Sequence, residues 1–459
     1  MKTDTIAAIA TAMAGSGIGI VRISGEEAVS ITDQIFHMPG GKKLSDMETH
    51  TIHYGHIRDG EEVIDEVMVL LMRGPRSYTR EDTVEIDCHG GVYVMKRILE
   101  TVIKYGARPA EPGEFTKRAF LNGRIDLSQA ESVIDVISAK NEFALKSSMK
   151  QLSGAVSDAV KEIRGEILHE IAFIESALDD PEHISLDGYG ERLELTIEGA
   201  VDRIEKLLAS SDNGRILKEG ISTVIVGKPN AGKSSLLNTL LGEERAIVTE
   251  IAGTTRDVLE EQINQNGIIL NIIDTAGIRD TDDIVEKIGV DKARKYVKDA
   301  DLILYVVDAS TNLDENDGEI MELLHGRRTI VLLNKSDLTP LTTAEDIRVH
   351  VDKDCPVISI SAREQKGIDV FTEQIRKMFF RGEVTFNDEV YITNIRHKTA
   401  LQEALSSLHL VEQSIADGMP EDFYSIDLMN AYEVLGTIIG EAVEDDLVNE
   451  IFSKFCMGK

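Results

Sequence analysis

The spacing of apolar residues changes along the chain. Up to about residue 120, short apolar runs alternate with Gly and Pro, and IGIVRIS, VMVLLM and TVEIDCHGG, which begin at residues 18, 67 and 83, predict strands. From residue 128 to about 208, apolar residues recur at helical spacing, and this spacing returns after residue 394. The pattern predicts a small α+β domain and long amphipathic helices.

Strands and helices alternate between residues 220 and 380, which is typical of a parallel sheet with crossover helices. Each flanking helical stretch offers only a narrow apolar stripe to bury, so we expect the α/β domain to be inserted into one helical domain. Four consecutive domains are the alternative. The predicted ranges are 1–120 for the N-terminal α+β domain, 121–215 and 381–459 for the two parts of an all-α helical domain, and 216–380 for the inserted α/β domain.

The charge balance limits how this chain can meet a nucleic acid. It has 49 Lys and Arg against 81 Asp and Glu, a net charge of -32, which is too acidic for bulk capture of RNA. Residues 1–125 carry 15 basic and 18 acidic side chains, so this part repels an anion least. An RNA partner must therefore be bound locally or through another subunit.

The spacing of the cysteines and the length of the apolar runs indicate the cellular compartment of the protein. Cys88, Cys355 and Cys456 lie too far apart for a disulfide framework or a CxxC metal site, which favours a reducing environment. No apolar run approaches the ~18 residues of a membrane span. The apolar stretch at 6–14 follows an Asp and runs into a Gly-rich segment, unlike a secretory signal. We predict a cytoplasmic protein.

A Gly-rich loop lies between an apolar strand and a helix. The sequence GKPNAGKS occupies residues 227–234 and follows the apolar run at 221–226. In such a loop the main-chain N–H groups bind phosphate oxygens, Lys233 reaches the β and γ phosphates, and the Ser234 hydroxyl binds magnesium. The pattern predicts a P-loop nucleotide site.

The ends of the later strands indicate which base is bound. DTAG at 274–277 can hold the magnesium shell and meet the γ phosphate. In NKSD at 334–337, a buried carboxylate at Asp337 can accept the N1–H and amino hydrogens of guanine, which adenine would leave unpaired. At Ser361–Ala362 a main-chain N–H can meet the guanine O6. This order of motifs predicts GTP, with ATP as the weaker alternative.

The segment TEIAGTTRD at 249–257 is a candidate switch in which one Thr can reach magnesium, although a simple polar loop is the alternative. Ile278, which follows DTAG, has no polar atom to orient water, so hydrolysis needs help from elsewhere. The predicted GTP-binding residues are Asn230, Ala231, Gly232, Lys233, Ser234, Ser235, Thr249, Glu250, Ile251, Ala252, Gly253, Thr254, Thr255, Asp274, Thr275, Ala276, Gly277, Asn334, Lys335, Asp337, Ser361 and Ala362.

These motifs, with VRISG at 21–25 and CMGK at 456–459, resemble one family over the whole chain, the tRNA-modifying GTPases called MnmE or TrmE. The resemblance implies a Ras-like GTPase domain inserted in the helical domain and a homodimer joined through the N-terminal domains. It also implies a complex with the FAD-dependent protein MnmG. Together the pair would add a carboxymethylaminomethyl or aminomethyl group to C5 of the wobble uridine of tRNA.

The resemblance also implies the catalytic groups that the pattern lacks. Glu286 would orient the attacking water. A cation between the β and γ phosphates would supply the charge of an arginine finger, an effect worth ~10³ to 10⁵ in rate. The implied ligands are Asn230, Thr249, Ile251 and Thr254 for potassium, and Ser234 and Thr255 for magnesium.

A one-carbon donor, 5-formyl-tetrahydrofolate or a related folate, is implied for the N-terminal domain. Its implied contacts are Arg22, Glu85, Arg124 and Lys459. A pterin presents N–H donors that suit a carboxylate, and the glutamate tail of folate suits Arg or Lys. Cys456 would act near the modified base, and an ordinary thiol at a helix end is the alternative.

Two other classes of protein carry the same nucleotide motifs. One is a regulatory or ribosome-assembly GTPase without modification chemistry, and the other is a signalling switch. Ribosome-assembly GTPases usually append an RNA-binding module with a basic face, whereas the later domains here are acidic. Loss of the side chain on wobble uridine C5 in cells without the protein is expected only for a tRNA-modifying enzyme.

Overall fold

The computed structural model describes residues 4–243, 261–265, 267–273, 297, 300–380, 392–441, 445–455 and 458. The chain divides into two compact units, each built from separated segments. The first unit comprises Met1–Ile134, Gln151–Val201 and Ala400–Lys459, and the second comprises Asp135–Lys150 and Asp202–Thr399.

A seven-stranded sheet forms the N-terminal part of the first unit. Its strands are β1 (Ile6–Ile9), β2 (Ile18–Ser24), β3 (Phe36–His37), β4 (Thr51–Asp59), β5 (Glu62–Met72), β6 (Thr83–His89) and β7 (Arg108–Pro109). They lie in the order β3-β4-β5-β6-β2-β1-β7. All neighbouring strands are antiparallel except β1 and β7. The strands predicted from residues 18, 67 and 83 are confirmed as β2, part of β5, and β6.

Two helices, α1 (Ala28–Ile35) and α2 (Val92–Lys104), cover one face of this sheet. Ile31 and Ile98 of the helices belong to the same buried core as Val69 and Ile86 of the strands. Successive side chains of a strand point to opposite faces, so Met68 beside Val69 belongs to the other face. Met68 is 46% exposed there.

The helices predicted after residue 128 are confirmed. The elements that follow the sheet are α3 (Glu114–Leu121), α4 (Leu127–Ser138), α5 (Glu142–Leu152), α6 (Ala155–Asp179) and α7 (Tyr189–Glu219). Isoleucines at 163, 167, 171 and 174 of α6 are buried, as the spacing of three and four residues predicts.

A six-stranded sheet forms the centre of the second unit. Its strands are β8 (Ile221–Val226), β9 (Glu261–Gln265), β10 (Ile268–Ile272), β11 (Leu302–Asp308), β12 (Thr329–Asn334) and β13 (Val357–Ser359), in the order β13-β12-β11-β8-β10-β9. The pairs are parallel except β9 with β10. The sequence analysis predicts no strand at β9, because its residues are mostly polar and only Ile263 and Gln265 are buried.

The helices of this sheet are α8 (Lys233–Glu243), α9 (Glu315–Leu324), α10 (Ala344–Arg348) and α11 (Ile368–Phe380). Leu236 and Phe371 pack in the core on one face of the sheet, and Met321 packs in the core on the other. After β8 the chain first adds β10 on one side of β8 and then adds β11 on the other side. The direction in which strands are added therefore reverses next to β8. Ligands of open α/β sheets bind at such a reversal.

Three further helices follow, namely α12 (Ile395–Ala416), α13 (Glu421–Ile439) and α14 (Asp445–Ser453). The predicted fold class is therefore confirmed: an N-terminal α+β domain, helices, and a mostly parallel α/β domain between two helical stretches. The exact ranges 1–120, 121–215, 216–380 and 381–459 stay predictions. No helix in the described part of the chain is long and apolar enough to cross a membrane.

Candidate functional site

The loop between β8 and α8 requires glycine at two positions. Gly227 and Gly232 have φ of 151° and 99°, which L side chains rarely adopt. An added Cβ would lie 2.3 Å from the Val306 carbonyl oxygen at the first position and 2.1 Å from Asn334 Nδ2 at the second. Asn230 has φ of 62°, a left-handed conformation that Asn tolerates better than most residues. The sequence therefore fixes a tight loop whose backbone can approach a ligand closely.

Lys233 is the first residue of α8 and bends back over this loop. Its Nζ donates to the carbonyl oxygens of Gly227 and Lys228, at 2.7 Å each. Burial lowers the pKa of its ammonium group. Ser234 and Ser235 lie in the same first turn, and the N–H groups at a helix N-terminus favour an anion. The structure thus brings the predicted phosphate-binding residues 230–235 together at the carboxyl end of β8.

Asn334, the last residue of β12, braces the phosphate loop against the segment after β13. Its Nδ2 donates to the Ala231 carbonyl oxygen at 2.9 Å, and its Oδ1 accepts from the Ala362 N–H at 3.1 Å. The side chain is buried, with 2% of the residue exposed. The Thr239 hydroxyl of α8 donates to the Ala362 carbonyl oxygen at 2.7 Å. The predicted residues Asn334, Ala231 and Ala362 are therefore parts of one hydrogen-bonded unit.

The base-recognition residues lie beside this brace. Asp337 Oδ1 accepts from the Ser361 hydroxyl at 2.7 Å, and this bond holds the pKa of the Asp337 carboxyl below its usual range. Lys335 has φ of 64°, and its Nζ donates to Asp308 Oδ2 at 2.5 Å. An ionised carboxylate next to Ser361 can accept two N–H groups of a guanine edge.

One property expected of Asp337 was wrong. The sequence analysis expected a buried carboxylate, but Asp337 is exposed. It lies in a surface turn three residues beyond the end of β12, where the backbone has left the sheet. The Asp337 carboxylate is therefore in contact with water when no base is bound, and only a bound base would shield it.

Several predicted site residues lie outside the described residues, and their roles stay predictions. They are Thr249, Glu250, Ile251, Ala252, Gly253, Thr254, Thr255, Asp274, Thr275, Ala276, Gly277, Glu286, Cys456 and Lys459.

A second group of predicted residues lies on the N-terminal sheet. Arg22 of β2 is the cross-strand partner of Glu85 of β6, and its Nε donates to Glu85 Oε1 at 2.7 Å. Arg22 Nη1 also donates to the Gly458 carbonyl oxygen at 3.0 Å. The Arg124 guanidinium carbon lies 4.6 Å from the ring centroid of Tyr78, and that of Arg22 lies 5.7 Å from it. Arg22, Glu85 and Arg124 thus meet around Tyr78, and the chain returns there at Gly458.

Tyr78 of this group and Asp87 near Glu85 were not predicted from the sequence. The Tyr78 ring contacts both guanidinium groups, and its hydroxyl is 2.9 Å from Thr116 Oγ1. Asp87 lies two residues beyond Glu85, on the same face of β6; its Oδ1 is buried and accepts no hydrogen bond among the described residues. Burial, and then Glu85, raise the pKa of Asp87. Strand alternation was a signal for Asp87, whereas nothing in the loop sequence pointed to Tyr78.

Two family models match this chain. The one described as the MnmE helical domain matches residues 127–456, and the one described as the GTP-binding protein TrmE N-terminus matches residues 5–124. The tRNA modification GTPase MnmE of Lachnoclostridium phytofermentans is 61% identical over 460 residues, which covers 100% of both chains. The chain belongs to the MnmE family of tRNA modification GTPases.

Other MnmE proteins are similar over the same length. That of Bacillus subtilis is 47% identical over 99% of this chain and 100% of its own, and that of Clostridioides difficile is 50% identical over 99% of both. Among solved structures, Aquifex aeolicus Era bound to GDP.AlF4- matches with 29% identity and a TM-score of 0.26, over 41% of this chain and 67% of that one. Membership of the MnmE family identifies this chain as a GTPase.

Proposed function

We propose that this GTPase works with an FAD-dependent MnmG protein on tRNA. The pair adds a carboxymethylaminomethyl or aminomethyl group to C5 of the wobble uridine, and GTP hydrolysis drives the cycle. The observation that carries the nucleotide part is the Asn334 brace, which ties the phosphate loop at Ala231 to the base segment at Ala362. Family membership supports the tRNA part.

The proposed guanine contacts explain the choice of nucleotide. The Asp337 carboxylate accepts the N1–H and the amino group, while a main-chain N–H at Ser361–Ala362 meets O6. Adenine has an acceptor at N1 and no amino group at C2, so it would face Asp337 with no donor. A polar site left unpaired in this way gives discrimination of ~10⁴-fold or more.

The cations of the proposed site are magnesium and potassium. The Ser234 hydroxyl, in the first turn of α8, suits magnesium, and Asn230 is an exposed residue whose amide oxygen would suit a hard cation such as potassium. A bound cation would offset phosphate charge as GTP is hydrolysed. Thr249, Ile251, Thr254 and Thr255 would complete the two sets of ligands, and Glu286 would orient water.

The N-terminal group around Tyr78 is the proposed site of the one-carbon folate. Glu85 would accept the N–H donors of the pterin, and Arg22, Arg124 and Lys459 would meet the carboxylates of the tail. Arg22 and Glu85 are only 17% and 16% exposed, so water competes weakly for their hydrogen bonds. Cys456 would act near the reacting base. Gly458, two residues further along the chain, is bound by Arg22.

The proposed homodimer forms through the N-terminal sheet. Tyr54 and Met68 are cross-strand partners on the face opposite α1 and α2, and Ile52 lies next to them on β4. Ile52 is 63% exposed, Tyr54 is 50% exposed and Met68 is 46% exposed. A contiguous apolar sheet face of this kind is typical of an interaction surface. The cytoplasmic location stays a prediction.

The deciding experiment is mass analysis of wobble nucleosides from cells that lack this protein. We expect uridine without its C5 side chain, restored by the unchanged chain and by the surface variant Lys377→Ala, but not by Lys233→Ala. Intact wobble nucleosides would instead favour a regulatory or ribosome-assembly GTPase.

Hydrolysis of GTP by the purified chain should be far faster in potassium chloride than in sodium chloride, by ~10³-fold if the cation takes the place of an arginine finger. Both salts are compared at equal ionic strength. Equal rates in the two salts would contradict the proposed role of potassium. They would not affect the tRNA function, which the nucleoside analysis tests separately.

A further inference from the structure

The loop between β5 and β6, residues 73–82, contains Tyr78 and is called the Tyr78 loop below. Four basic side chains in or next to this loop have no carboxylate partner among the described residues. They are Arg76 and Arg80 of the loop, Lys117 of α3, and Arg124 beyond α3. Arg80 Nη1 donates to the Asn122 carbonyl oxygen at 2.9 Å, and Lys117 Nζ donates to Asn449 Oδ1 at 2.6 Å. Arg124 stacks on Tyr78.

Several other basic residues of the same domain are paired with carboxylates. Arg97 donates to Glu62 at 3.1 Å, Lys104 to Asp59 at 2.7 Å, and Arg108 to Glu114 at 2.5 Å. Lys42, Lys43, Arg58 and Lys96 have no ion pair among the described residues either. The four cations differ because they come from one loop and from the α3 segment that this loop contacts. Their charge is available to an external anion.

The acidic residues of the Tyr78 loop turn inward. Glu81 accepts from the Ser24 hydroxyl at 2.8 Å and from Arg118 Nη1 at 3.1 Å, and Arg118 is buried. Asp82 accepts from the Gly74 N–H at 3.0 Å. These carboxylates are already bound within the fold, while Arg76 and Arg80 are exposed.

The Tyr78 loop is also held in one conformation. The Asn122 Nδ2 donates to the Thr79 carbonyl oxygen at 2.7 Å, and the Thr79 hydroxyl is 2.6 Å from Ser24 Oγ. Arg80 itself has φ of 62°, an uncommon conformation for a residue other than glycine. A preorganised surface loses little conformational entropy when it binds a ligand.

We propose that Arg76, Arg80 and Lys117 form a docking surface for RNA phosphates, which holds the tRNA beside Arg124 and the folate group. This inference rests on the proposed tRNA function. The one-carbon folate of that function would react with the target base, so the base would be brought to this group, where the chain also returns at Gly458. The phosphates that flank the base would meet the three cations, in the part of the chain that repels anions least.

The poly-γ-glutamyl tail of a folate has related chemistry but is a smaller anion. RNA is favoured because Arg76, Arg80 and Lys117 come from a loop and a separate helix, which suits several phosphates of a polynucleotide. Arg124, stacked on Tyr78, is the cation that the short folate tail would meet. The two anions separate in a direct test.

The test compares Arg76→Glu and Arg80→Glu with Lys96→Glu, an exposed residue of α2 on the covered side of the sheet. Binding of an unmodified tRNA transcript with a wobble uridine is measured by fluorescence anisotropy on the full chain across a range of salt concentrations. We expect each arginine variant to bind roughly threefold to tenfold more weakly, with a salt slope lower by about 0.7 to 1. Arg80→Lys should retain most of the affinity, and Lys96→Glu should match the unchanged chain.

Circular dichroism and thermal unfolding that match the unchanged chain would show that the variants fold, because the substitutions lie in the first unit and GTP hydrolysis reports on the second. Arginine variants that match Lys96→Glu in affinity and slope would overturn the proposal, as would an unchanged chain without salt-dependent tRNA binding. In a parallel titration, loss of affinity for pentaglutamyl but not monoglutamyl tetrahydrofolate, with tRNA binding intact, would assign the surface to the folate tail. Failure of the tRNA function itself would appear independently, as intact wobble nucleosides in cells without the protein.

Discussion

Asn334 shows how one side chain can set the geometry of a nucleotide site. Both ends of its amide are used, one on the phosphate loop and one on the base segment. The NKSD motif predicts Asn334 only as a nucleotide contact. Its role as a brace could not be predicted, because hydrogen bonds between residues that are 103 and 28 positions apart depend on how the strands are ordered in the sheet.

Asn334→Ala should weaken both stability and GTP binding. The substitution leaves the Ala231 carbonyl and the Ala362 N–H buried without a partner, so the free energy of unfolding should fall by about 1–3 kcal/mol. GTP affinity should fall by at least about tenfold, which corresponds to ~1.4 kcal/mol. Denaturant unfolding and titration with a fluorescent GTP analogue measure the two effects.

Ser336→Ala, an exposed change two residues along, is the matched control. It should leave both quantities within experimental error. If Asn334→Ala bound GTP as tightly as the unchanged chain, the brace would not be what positions the site.

At the scale of elements, what could be predicted depended on how local the signal was. Strands β8, β11 and β12 are buried runs between turns, and their apolar sequences identify them directly. Strand β9 has no such run, because its side chains alternate between the two faces of the sheet and only Ile263 and Gln265 are buried. The exposure of Asp337 depends on where the turn after β12 leaves the sheet. Tyr78 lies in a loop whose conformation is set by distant residues such as Thr116.

Gly232, just before α8, and Gly242, near the end of α8, should give opposite effects when each is replaced by alanine. Gly232→Ala places a Cβ at φ of 99° and 2.1 Å from Asn334 Nδ2, so the chain should lose measurable GTP binding. Gly242 lies within α8, and no heavy atom of the described residues lies within 4 Å of an added Cβ. Gly242→Ala should therefore raise the free energy of unfolding by about 0.5–1 kcal/mol, because alanine favours the helix.

GTP hydrolysis and thermal unfolding are measured on both glycine variants. Hydrolysis by Gly232→Ala at the rate of the unchanged chain would show that the loop can rearrange. A lower free energy of unfolding for Gly242→Ala would mean that the conformational freedom of Gly242 in the unfolded chain does not reduce the stability of this helix.

At the scale of the whole molecule, the exposed face of the N-terminal sheet combines two proposed roles. Its apolar part at β4 and β5 supports the dimer, and Arg22 and Glu85 on the same face support the folate site. Leu70 of β5 is the cross-strand partner of both Ile52 and Glu85, so the two parts adjoin. The resemblance implied both roles, but only the strand register shows that they share a face.

Met68→Glu should therefore weaken the dimer. The new carboxylate would be buried in an apolar interface and would also face Asp87, its cross-strand partner. Analytical ultracentrifugation should show dimerisation at least about tenfold weaker, a loss of ~1.4 kcal/mol. Leu195→Glu, at a position of α7 that is 71% exposed, is the control and should remain dimeric. A Met68→Glu chain that sediments like the control would mean that another surface joins the protomers.

The packing of α6 against α13 has a consequence for synthesis of the chain. Arg164, inside the apolar stripe of α6, donates to Glu441 at 2.6 Å and to the Tyr432 carbonyl oxygen at 3.0 Å. A nascent chain has made α6 long before it has made either partner. The ribosome therefore translates the entire nucleotide-binding insertion before Arg164, and the face of α6 that packs against α13, can meet their native partners.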